Sequence, residues 1–580
     1  MTAPAETVAS LDVGTPRSLW SRVTEVSPVV YILAAILLIL IVPPAIFLVS
    51  VSLREPMPDG SFGGLTFRFY QSLMTGRFFW PSLSNTFIYA AGSAVVAIVI
   101  GTVQALIVER TNTPGRKLAF LGAIISLGVP HILYVVAWLL LLGKSGPLND
   151  LIQAITGQPQ VFNVYSMLGM VVIEGIGFVP LTFLLMSAVL RSMDASFEEA
   201  AIMAGASPLR AFWEVTLRMG IPAICALLLL IFVRAFESFE VPALVGLAGN
   251  INVLTTTIYQ NAHKTGTPNY GEAGAYSVCL IIIVTGLLIW QSQLSRNAHK
   301  YQTITGKGFR PRIVDLGRWK YASAAVLLVL FLAVTVIPVM MLIYTSFQPF
   351  YDGVSVGALS RMSLENYEAL LGPGSFRDSI LNTLVLGAST ATIVVPFTAI
   401  CAWLVARRAP GAAILDHLAT LPLVFPAIIL SVAFLDVFVN LPIPLYGTLL
   451  SIIIASSVRY FPYGMRYSYT AALQIHPDLE QAATISGATR FALFIRVVIP
   501  LLAASLISSW LLVFLLAVQA VSLPLLLVGP GSEIMSVTLF EMWRNGQVTE
   551  LAAMGVLWIA LMTCVSTAFH MLTRHRQVMA

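Results

Sequence analysis

Long apolar runs separated by short polar segments are the dominant pattern of this 580-residue chain. A helix needs about 20 predominantly apolar residues to cross the hydrocarbon core of a bilayer, because each residue adds about 1.5 Å. Runs of this length predict an all-α polytopic membrane protein with twelve transmembrane helices, six in each half of the sequence. The runs cover residues 29–53, 82–108, 118–142, 164–190, 222–246, 275–295, 321–347, 379–406, 414–440, 446–473, 500–528 and 551–573.

A polar island interrupts each half between its fourth and fifth apolar runs. The first island extends from Asp194 to Pro222, and the second from Asp478 to Pro500. An amphipathic pattern with a glycine in its middle predicts a short helix, a tight turn and a second helix. The islands match each other at a constant offset, which predicts an internal duplication. The matched residues are Glu198 and Glu480, Ala200 and Ala482, Ala201 and Ala483, and Gly205 and Gly487.

The duplication continues outside the polar islands, so the two six-helix halves are homologous. The second run of each half opens with an Asn-Thr pair, at Asn85 and Asn382, and the fourth runs share Pro180 and Pro462. The matches predict five regions. They are a cytoplasmic N-terminal segment (1–28), a first permease-like half (29–295), a basic cytoplasmic linker (296–320), a second half (321–573) and a cytoplasmic tail (574–580).

Composition excludes a soluble protein, and the basic residues predict the topology. Hydrophobic residues make up 58% of the chain and charged residues only 10%, with a mean hydropathy of +0.87. Soluble domains carry about 25% charged residues. With both termini inside, most of the 32 Lys and Arg fall in cytoplasmic segments, as the positive-inside rule expects. The net charge of +5 therefore indicates anionic membrane lipid, not nucleic acid, as a partner.

The matched residues of the islands suit a surface on which another protein docks. Alanines let a partner approach closely, and a glycine permits a turn at positive φ. Glu198, Glu199 and Glu480 lie in the predicted first helical turn, where acidic side chains favour the helix dipole. The alternative is an interfacial amphipathic helix without a partner. Two copies with the same residues at the same spacing favour a pair of docking surfaces.

The island pattern, E-x-A-A-x3-G followed about ten residues later by a hydrophobic–Pro pair, resembles the cytoplasmic EAA loop of type I ABC importer permeases. In the second copy the pair ends at Pro500, whereas Arg218 stands at the matching place in the first copy. Because the resemblance covers both halves, the chain looks like two permease subunits fused into one. It implies a bacterial inner-membrane location and a binding protein that delivers the substrate from outside.

The resemblance also implies that two copies of an ATPase subunit dock on the islands. The coupling residues would be Glu198, Glu199, Ala200, Ala201, Gly205, Glu480, Ala482, Ala483 and Gly487. The chain has no GxxxxGK[ST] phosphate-binding loop and no metalloprotease or nucleophile-elbow motif. We therefore expect a permease subunit that is not an enzyme and holds no cofactor or resident metal. ATP and Mg would be bound by the partner ATPase.

Several ionisable residues fall inside the apolar runs, where charge is costly and usually faces a cavity or a partner. Glu174, Glu237, Glu240 and Arg459 are candidates for the translocation path, because carboxylate oxygens suit hard cations. The alternative is structural: Arg234 pairs with Glu237, and the remaining carboxylates pair with arginines of the second half. The sequence leaves both interpretations open.

The substrate is indicated by a similarity that is weaker than that of the EAA loops. The segments 236–246, 253–259 and 274–278 look most like those of ferric-iron permeases. Thiamine, polyamine and organophosphonate importers share the fused arrangement and remain alternatives. A secondary transporter driven by an ion gradient also has twelve spans in two halves, but it needs no docking loop in each half. The sequence therefore favours an ATP-driven importer, with ferric iron as the first choice of substrate.

Overall fold

The computed structural model describes residues 28–56, 62–158, 162–191, 193, 196–263, 269–298, 313–372 and 375–579. The predicted N-terminal segment before residue 28, most of the basic linker, and Asp194 lie outside these residues. The described part is helical except for turns, connecting segments and one short antiparallel hairpin, Arg54–Pro56 with Phe62–Leu65. This confirms the predicted all-α membrane fold.

The helices of the first half follow the predicted runs and add short connecting helices. They are Pro28–Ser52, Arg68–Thr75, Phe79–Arg110, Arg116–Gly128, His131–Leu142, Pro147–Thr156, Met167–Arg191, Ser196–Met203, Pro208–Ala211, Arg218–Phe236, Leu254–Ala262 and Tyr270–Ala298. Two π-helical segments, Phe212–Leu217 and Pro242–Gly246, and the 3₁₀ turn Leu247–Gly249 complete this half.

The second half repeats this order. Its helices are Trp319–Phe331, Ile337–Ser346, Val356–Ser360, Glu365–Leu371, Ser375–Ala406, Ala413–Thr420, Ala427–Asn440, Leu449–Gln474, Pro477–Ile485, Arg490–Leu493, Ile499–Gln519, Met535–Arg544 and Val548–Met579. The π-helical segments are Leu332–Val336 and Phe494–Val498, and the 3₁₀ turns are Leu421–Val424 and Pro524–Leu526.

The predicted number of twelve spans is not confirmed. Within the described residues, ten helices are long and apolar enough to cross a membrane, or eleven if the bent pair Ala413–Val424 and Ala427–Asn440 is one span. The remaining apolar run forms the 26-residue helix Leu449–Gln474. This helix is long enough to span, but Arg459, Arg466 and its tyrosines lower its hydropathy.

A proline breaks the third run of each half. The first of these runs ends its helix at Gly128 and resumes at His131 after Pro130, and the second bends by 103° at Pro426. The helical region is disfavoured for the residue before a proline, and both Val129 and Phe425 have extended backbone. The first break therefore places His131 at the start of a new helix.

Glycines allow the second and fourth spans of each half to pack closely. A Cβ atom on Gly101 would lie 2.7 Å from the Cβ of Thr182, and one on Gly464 would lie 2.6 Å from the Oγ1 of Thr398. Small residues at such crossings let helix backbones approach each other in a membrane. The same device in both halves produces a rigid pair of helices on each side of the molecule.

We expect Gly464→Leu to destabilise the protein by about 1–3 kcal/mol, because the added side chain overpacks this crossing. Gly286→Leu is the matched control, since a Cβ atom on Gly286 meets no atom within 4 Å. Thermal unfolding of both variants in detergent, followed by fluorescence-detected size exclusion, measures the difference. Equal midpoints for the two variants would show that the crossing tolerates a larger residue.

Candidate functional site

The two polar islands form loops with the same backbone, here named the first loop (196–217) and the second loop (477–498). Each opens with a short helix that ends at a glycine in the left-handed region, Gly205 with φ +91° and Gly487 with φ +86°. The amide of Ala206 donates to the carbonyl of Ala201 at 3.0 Å, and Ala488 donates to Ala483 at 3.0 Å. This is the Schellman arrangement, in which a side chain at the glycine would be penalised. The predicted glycine turn is confirmed in both loops.

The second short helix of each loop also begins in the same way. The Oγ of Ser207 accepts from the amide of Arg210, and the Oγ1 of Thr489 accepts from the amide of Ala492. A π-helical segment follows in each loop and leads into the fifth span. Arg218 stands where the second loop has a proline. Its backbone is helical, and so is that of Ile499 at the start of the matching helix. The substitution therefore leaves the geometry of the first loop unchanged.

An ion pair with a buried glutamate anchors each loop to the end of the second span of its own half, at the last residue Arg110 or directly after the helix at Arg407. Glu198 lies 3.1 Å from the Nη1 of Arg110, and Glu480 accepts from the Nη2 of Arg407 at 2.6 Å. The two glutamates are only 8% and 9% exposed. Trp403 also donates to Glu480 at 3.2 Å. The matched glutamates of the EAA pattern thus point into the protein, toward arginines that the sequence analysis did not single out.

Further contacts hold the end of the first anchored span. Arg191 pairs with Glu109 at 2.8 Å, next to Arg110 in the sequence. The amide of Val314, in the described end of the linker, donates to the carbonyl of Arg110 at 2.8 Å. The backbone N–H of Gly317 and the amide group of Asn112 donate to Asp315 and lower the pKa of its carboxyl group. The linker is therefore tied to the base of the first loop.

The outer face of each loop is apolar and exposed. Met203 is 90% exposed, and Ile485 at the matching position is 87% exposed. Further exposed apolar residues on these loops are Phe197 and Leu479, Trp213 and Ile495, and Phe491. Among the predicted coupling residues, Glu199, Ala200 and Ala482 are exposed, whereas Ala201 and Ala483 are half-buried. Each half thus presents an apolar patch built from matched positions, as a docking surface for two like partners requires.

Five charged residues of the apolar runs lie in one cluster between the halves, here named the interface cluster. Glu237 lies 3.7 Å from the Nη2 of Arg459. Arg234 donates to the hydroxyl of Tyr463 at 2.7 Å, so both members of the pair that the structural alternative predicted make contacts across the halves. Ser522 of the second half donates to Glu240 at 3.1 Å. Three of the four predicted path residues, Glu237, Glu240 and Arg459, therefore make direct contacts between the halves.

Arg459 has a second set of contacts, with the bent ninth span. Its Nη1 donates to the carbonyl of Phe425 at 2.6 Å, at the residue before the bend. Helix breaks leave carbonyl groups without intrahelical partners, and a buried guanidinium can satisfy several acceptors at once. Arg459 thus supports the break in the second half while it pairs with Glu237 of the first.

Glu174 joins the cluster through His131, which the sequence analysis missed. Glu174 is fully buried, and its Oε2 lies 3.5 Å from the Nε2 of His131. The Nδ1 of the same ring lies 3.9 Å from the Oε2 of Glu240. The proline directly before His131 is the feature of the sequence that could have identified it. A helix that restarts inside an apolar run directs its first residues toward neighbouring helices. The cluster is completed by this imidazole.

The chain matches the family described as "Binding-protein-dependent transport system inner membrane component" over residues 97–352 and 394–577. It is similar to the ferric transport system permease protein FbpB of Actinobacillus pleuropneumoniae, with 24% identity over 495 residues, which is 84% of this chain and 70% of that protein. The putative ferric transport system permease protein FbpB 1 of Haemophilus influenzae is 26% identical over 79% of this chain and 71% of its own.

A shorter match involves a putative 2-aminoethylphosphonate transport system permease protein, PhnU, of Salmonella typhi. It is 29% identical over 38% of this chain and 74% of that protein. Among solved structures, a bacterial ABC transporter involved in alginate import covers 48% of this chain and 98% of its own, at 19% identity and a TM-score of 0.39. The family match, twice along most of the sequence, shows that this chain belongs to the binding-protein-dependent inner membrane components and is a permease subunit of an ABC importer.

Proposed function

We propose that this chain is the membrane subunit of an ATP-driven importer of ferric iron, which a binding protein delivers from outside. The observation that carries the proposal is the similarity to ferric transport permeases across both halves. The interface cluster supports a cation as the substrate. Buried carboxylates such as Glu174 and Glu240 attract a cation and repel an anionic phosphonate.

The two loops are the proposed docking sites for two ATPase subunits, which bind ATP and Mg in place of this chain. Each exposed apolar patch fits a cleft of the same partner, because the loops share one backbone and matched side chains. Glu198, Glu199, Ala200, Ala201 and Gly205 act in the first loop. Their counterparts in the second loop are Glu480, Ala482, Ala483 and Gly487.

Coupling follows from the anchors. When ATP draws the ATPases together, each loop moves, and the Glu198–Arg110 and Glu480–Arg407 pairs transmit the movement to the second spans. Those spans pack tightly on the fourth spans through glycine contacts, so each half moves as a body. The halves then separate at the interface cluster, where Glu174, Glu237, Glu240 and Arg459 line the proposed path.

The substrate is tested by transport. The chain is purified with its ATPase and reconstituted in vesicles that enclose ATP, and the iron-loaded binding protein is added outside. These vesicles should accumulate radioactive iron. Thiamine, a polyamine and 2-aminoethylphosphonate, each offered with the same binding protein, should give no uptake above an ATP-free control. Uptake of one of these solutes without uptake of iron would refute the assignment to ferric iron.

The anchor is tested by charge reversal. Arg407→Glu places two carboxylates together in a buried site, and loss of a buried partner costs about 3–5 kcal/mol, so we expect iron uptake to fall at least tenfold. Adding Glu480→Arg should restore part of the uptake, because the pair is rebuilt with exchanged charges. Uptake and ATP hydrolysis are measured together on the same vesicles.

Arg408→Glu is the matched control for the anchor, because Arg408 is adjacent and exposed. It should leave uptake within about twofold of the wild type, as exposed charges contribute little. If the double variant transports no better than Arg407→Glu alone, the pairing of these two residues does not carry the coupling.

The docking surface is tested at its most exposed residues. Met203→Glu and Ile485→Glu place a charge on the apolar patches, and the double variant should lose most of the co-purifying ATPase while keeping its thermal stability. Val356→Glu is the control, since Val356 is 86% exposed and lies far from both loops in the sequence. Retention of the ATPase by the double variant would show that it docks elsewhere.

A further inference from the structure

A polar stripe runs along one face of the fourth span of the second half, from the interface cluster toward the second loop. It consists of Tyr463, Tyr467, Thr470 and Gln474 in the helix Leu449–Gln474. Steps of three and four residues keep side chains on one face of a helix, because a turn takes about 3.6 residues. Polar side chains within a span seldom face lipid and usually face a cavity or another helix. The stripe therefore requires an explanation other than contact with lipid.

The polar stripe faces the first half. Its outer end is fixed there, because the hydroxyl of Tyr463 accepts a hydrogen bond from Arg234 of the first half at 2.7 Å. Tyr463 is half-buried, whereas Tyr467 is 44% exposed and both Thr470 and Gln474 are exposed. Exposure thus rises along one face of the helix from the interface cluster toward the second loop. The stripe therefore leaves the contact between the halves on the side of the loops.

A groove with a volume of about 280 Å³ extends the stripe onto the fifth span. It lies between Thr470 and Gln474 on one helix and Ser505 and Ser508 on the other, Ile499–Gln519. A cavity of this size holds several water molecules, and its hydroxyl and amide groups provide the polar partners that water needs. Since Ser508 is exposed, the groove is open and not an enclosed void. The stripe and the groove form one surface, here named the polar wall.

Arg466 at the edge of the polar wall is independent evidence for contact with water. Its side chain is exposed, and it lies one helical turn before Thr470, whose hydroxyl donates to the carbonyl of Arg466 at 3.0 Å. No ion pair among the described residues includes Arg466. An unpaired guanidinium in hydrocarbon is costly, and charged residues within spans face a partner or a water-filled cavity. The surroundings of Arg466 therefore favour water over lipid at this surface.

The first half builds the same positions from apolar residues. At the offset that relates Glu198 to Glu480, the counterparts of Tyr467, Thr470, Ser505 and Ser508 are Leu185, Ala188, Ala223 and Ala226. Two homologous spans thus fold and pack at this depth without hydroxyl groups. The polar side chains of the second half serve their contact with water and not the packing of the helices.

We propose that the second half alone supplies the polar wall of a water-filled exit vestibule, through which the solute passes from the interface cluster toward the loops. The inference goes beyond the proposed function, since it concerns the route of the solute and not its identity. The hydroxyls of Thr470 and Ser508 already donate to carbonyls of their own helices, and none of the described residues that line the groove is acidic. The wall keeps a passing solute hydrated but offers a cation no carboxylate that would retain it.

The vestibule is tested by the accessibility of single cysteines. Thr470→Cys and Ser508→Cys are introduced into a chain whose four native cysteines are replaced by serine, and the chain is expressed with its ATPase. A charged, membrane-impermeant methanethiosulfonate should modify both variants in inverted membrane vesicles without ATP, and neither in spheroplasts. Ile282→Cys is the control, since Ile282 is 65% exposed on an apolar span and should stay unmodified in lipid. Equal modification of all three variants, or of none, overturns the inference.

The role of the wall in transport is tested by changing its polarity. Thr470→Leu with Ser508→Leu makes the wall apolar, and the pair should lose most of the iron uptake while the ATPase still co-purifies. Thr470→Asn with Ser508→Asn adds similar bulk but keeps polar groups, and this pair should restore most of the uptake. Equal loss in both pairs, or full uptake with the leucine pair, overturns the inference. If the wild type imports no iron, the proposed substrate is wrong, and the cysteine experiment alone decides the vestibule.

Discussion

The buried glutamate–arginine pair in each half is the interaction on which the rest of the arrangement depends. A carboxylate that is removed from water is stable only with a partner, and breaking such a pair leaves an uncompensated charge. Since Arg110 ends the second span of its half and Arg407 directly follows that of the other half, each loop is fastened to closely packed helices. In the coupling that we propose, movement of a loop would therefore displace the helices to which it is anchored.

The two halves share their mechanics and differ in their chemistry. Loops, glycine turns, anchors and proline breaks occur at matched positions, so both halves can respond to like partners in the same way. The polar groups around His131 occur once, and Leu386, Ala427 and Leu430 occupy the corresponding places in the second half. Fusion into one polypeptide allows this division, because each half can change its interior while the loops keep their matched surfaces.

Local features of this fold could be predicted from the sequence, whereas contacts between distant residues could not. The turns at Gly205 and Gly487 are encoded within a few residues, and both were predicted. The anchors were missed because Arg407 and Glu480 are brought together only by packing. The hydropathy pattern does not show the break before His131, because a proline inside an apolar run changes the direction of the helix without changing the composition of the run. The acidic residues of the spans were recognised, but the imidazole that connects them was not.

The double role of Arg459 has a consequence for the electrical state of the opening pathway. Its guanidinium is held by the carbonyl of Phe425 as well as by Glu237, and the carbonyl belongs to the same half as the arginine. When the halves part, the positive charge stays with the bent ninth span, and the carboxylate of Glu237 is released on the opposite wall. Separation thus polarises the gap, with the carboxylate of Glu237 on one wall and the guanidinium of Arg459 on the other. In the proposed import cycle, a cation would be drawn to the wall that carries Glu237, an attraction that the closed ion pair conceals.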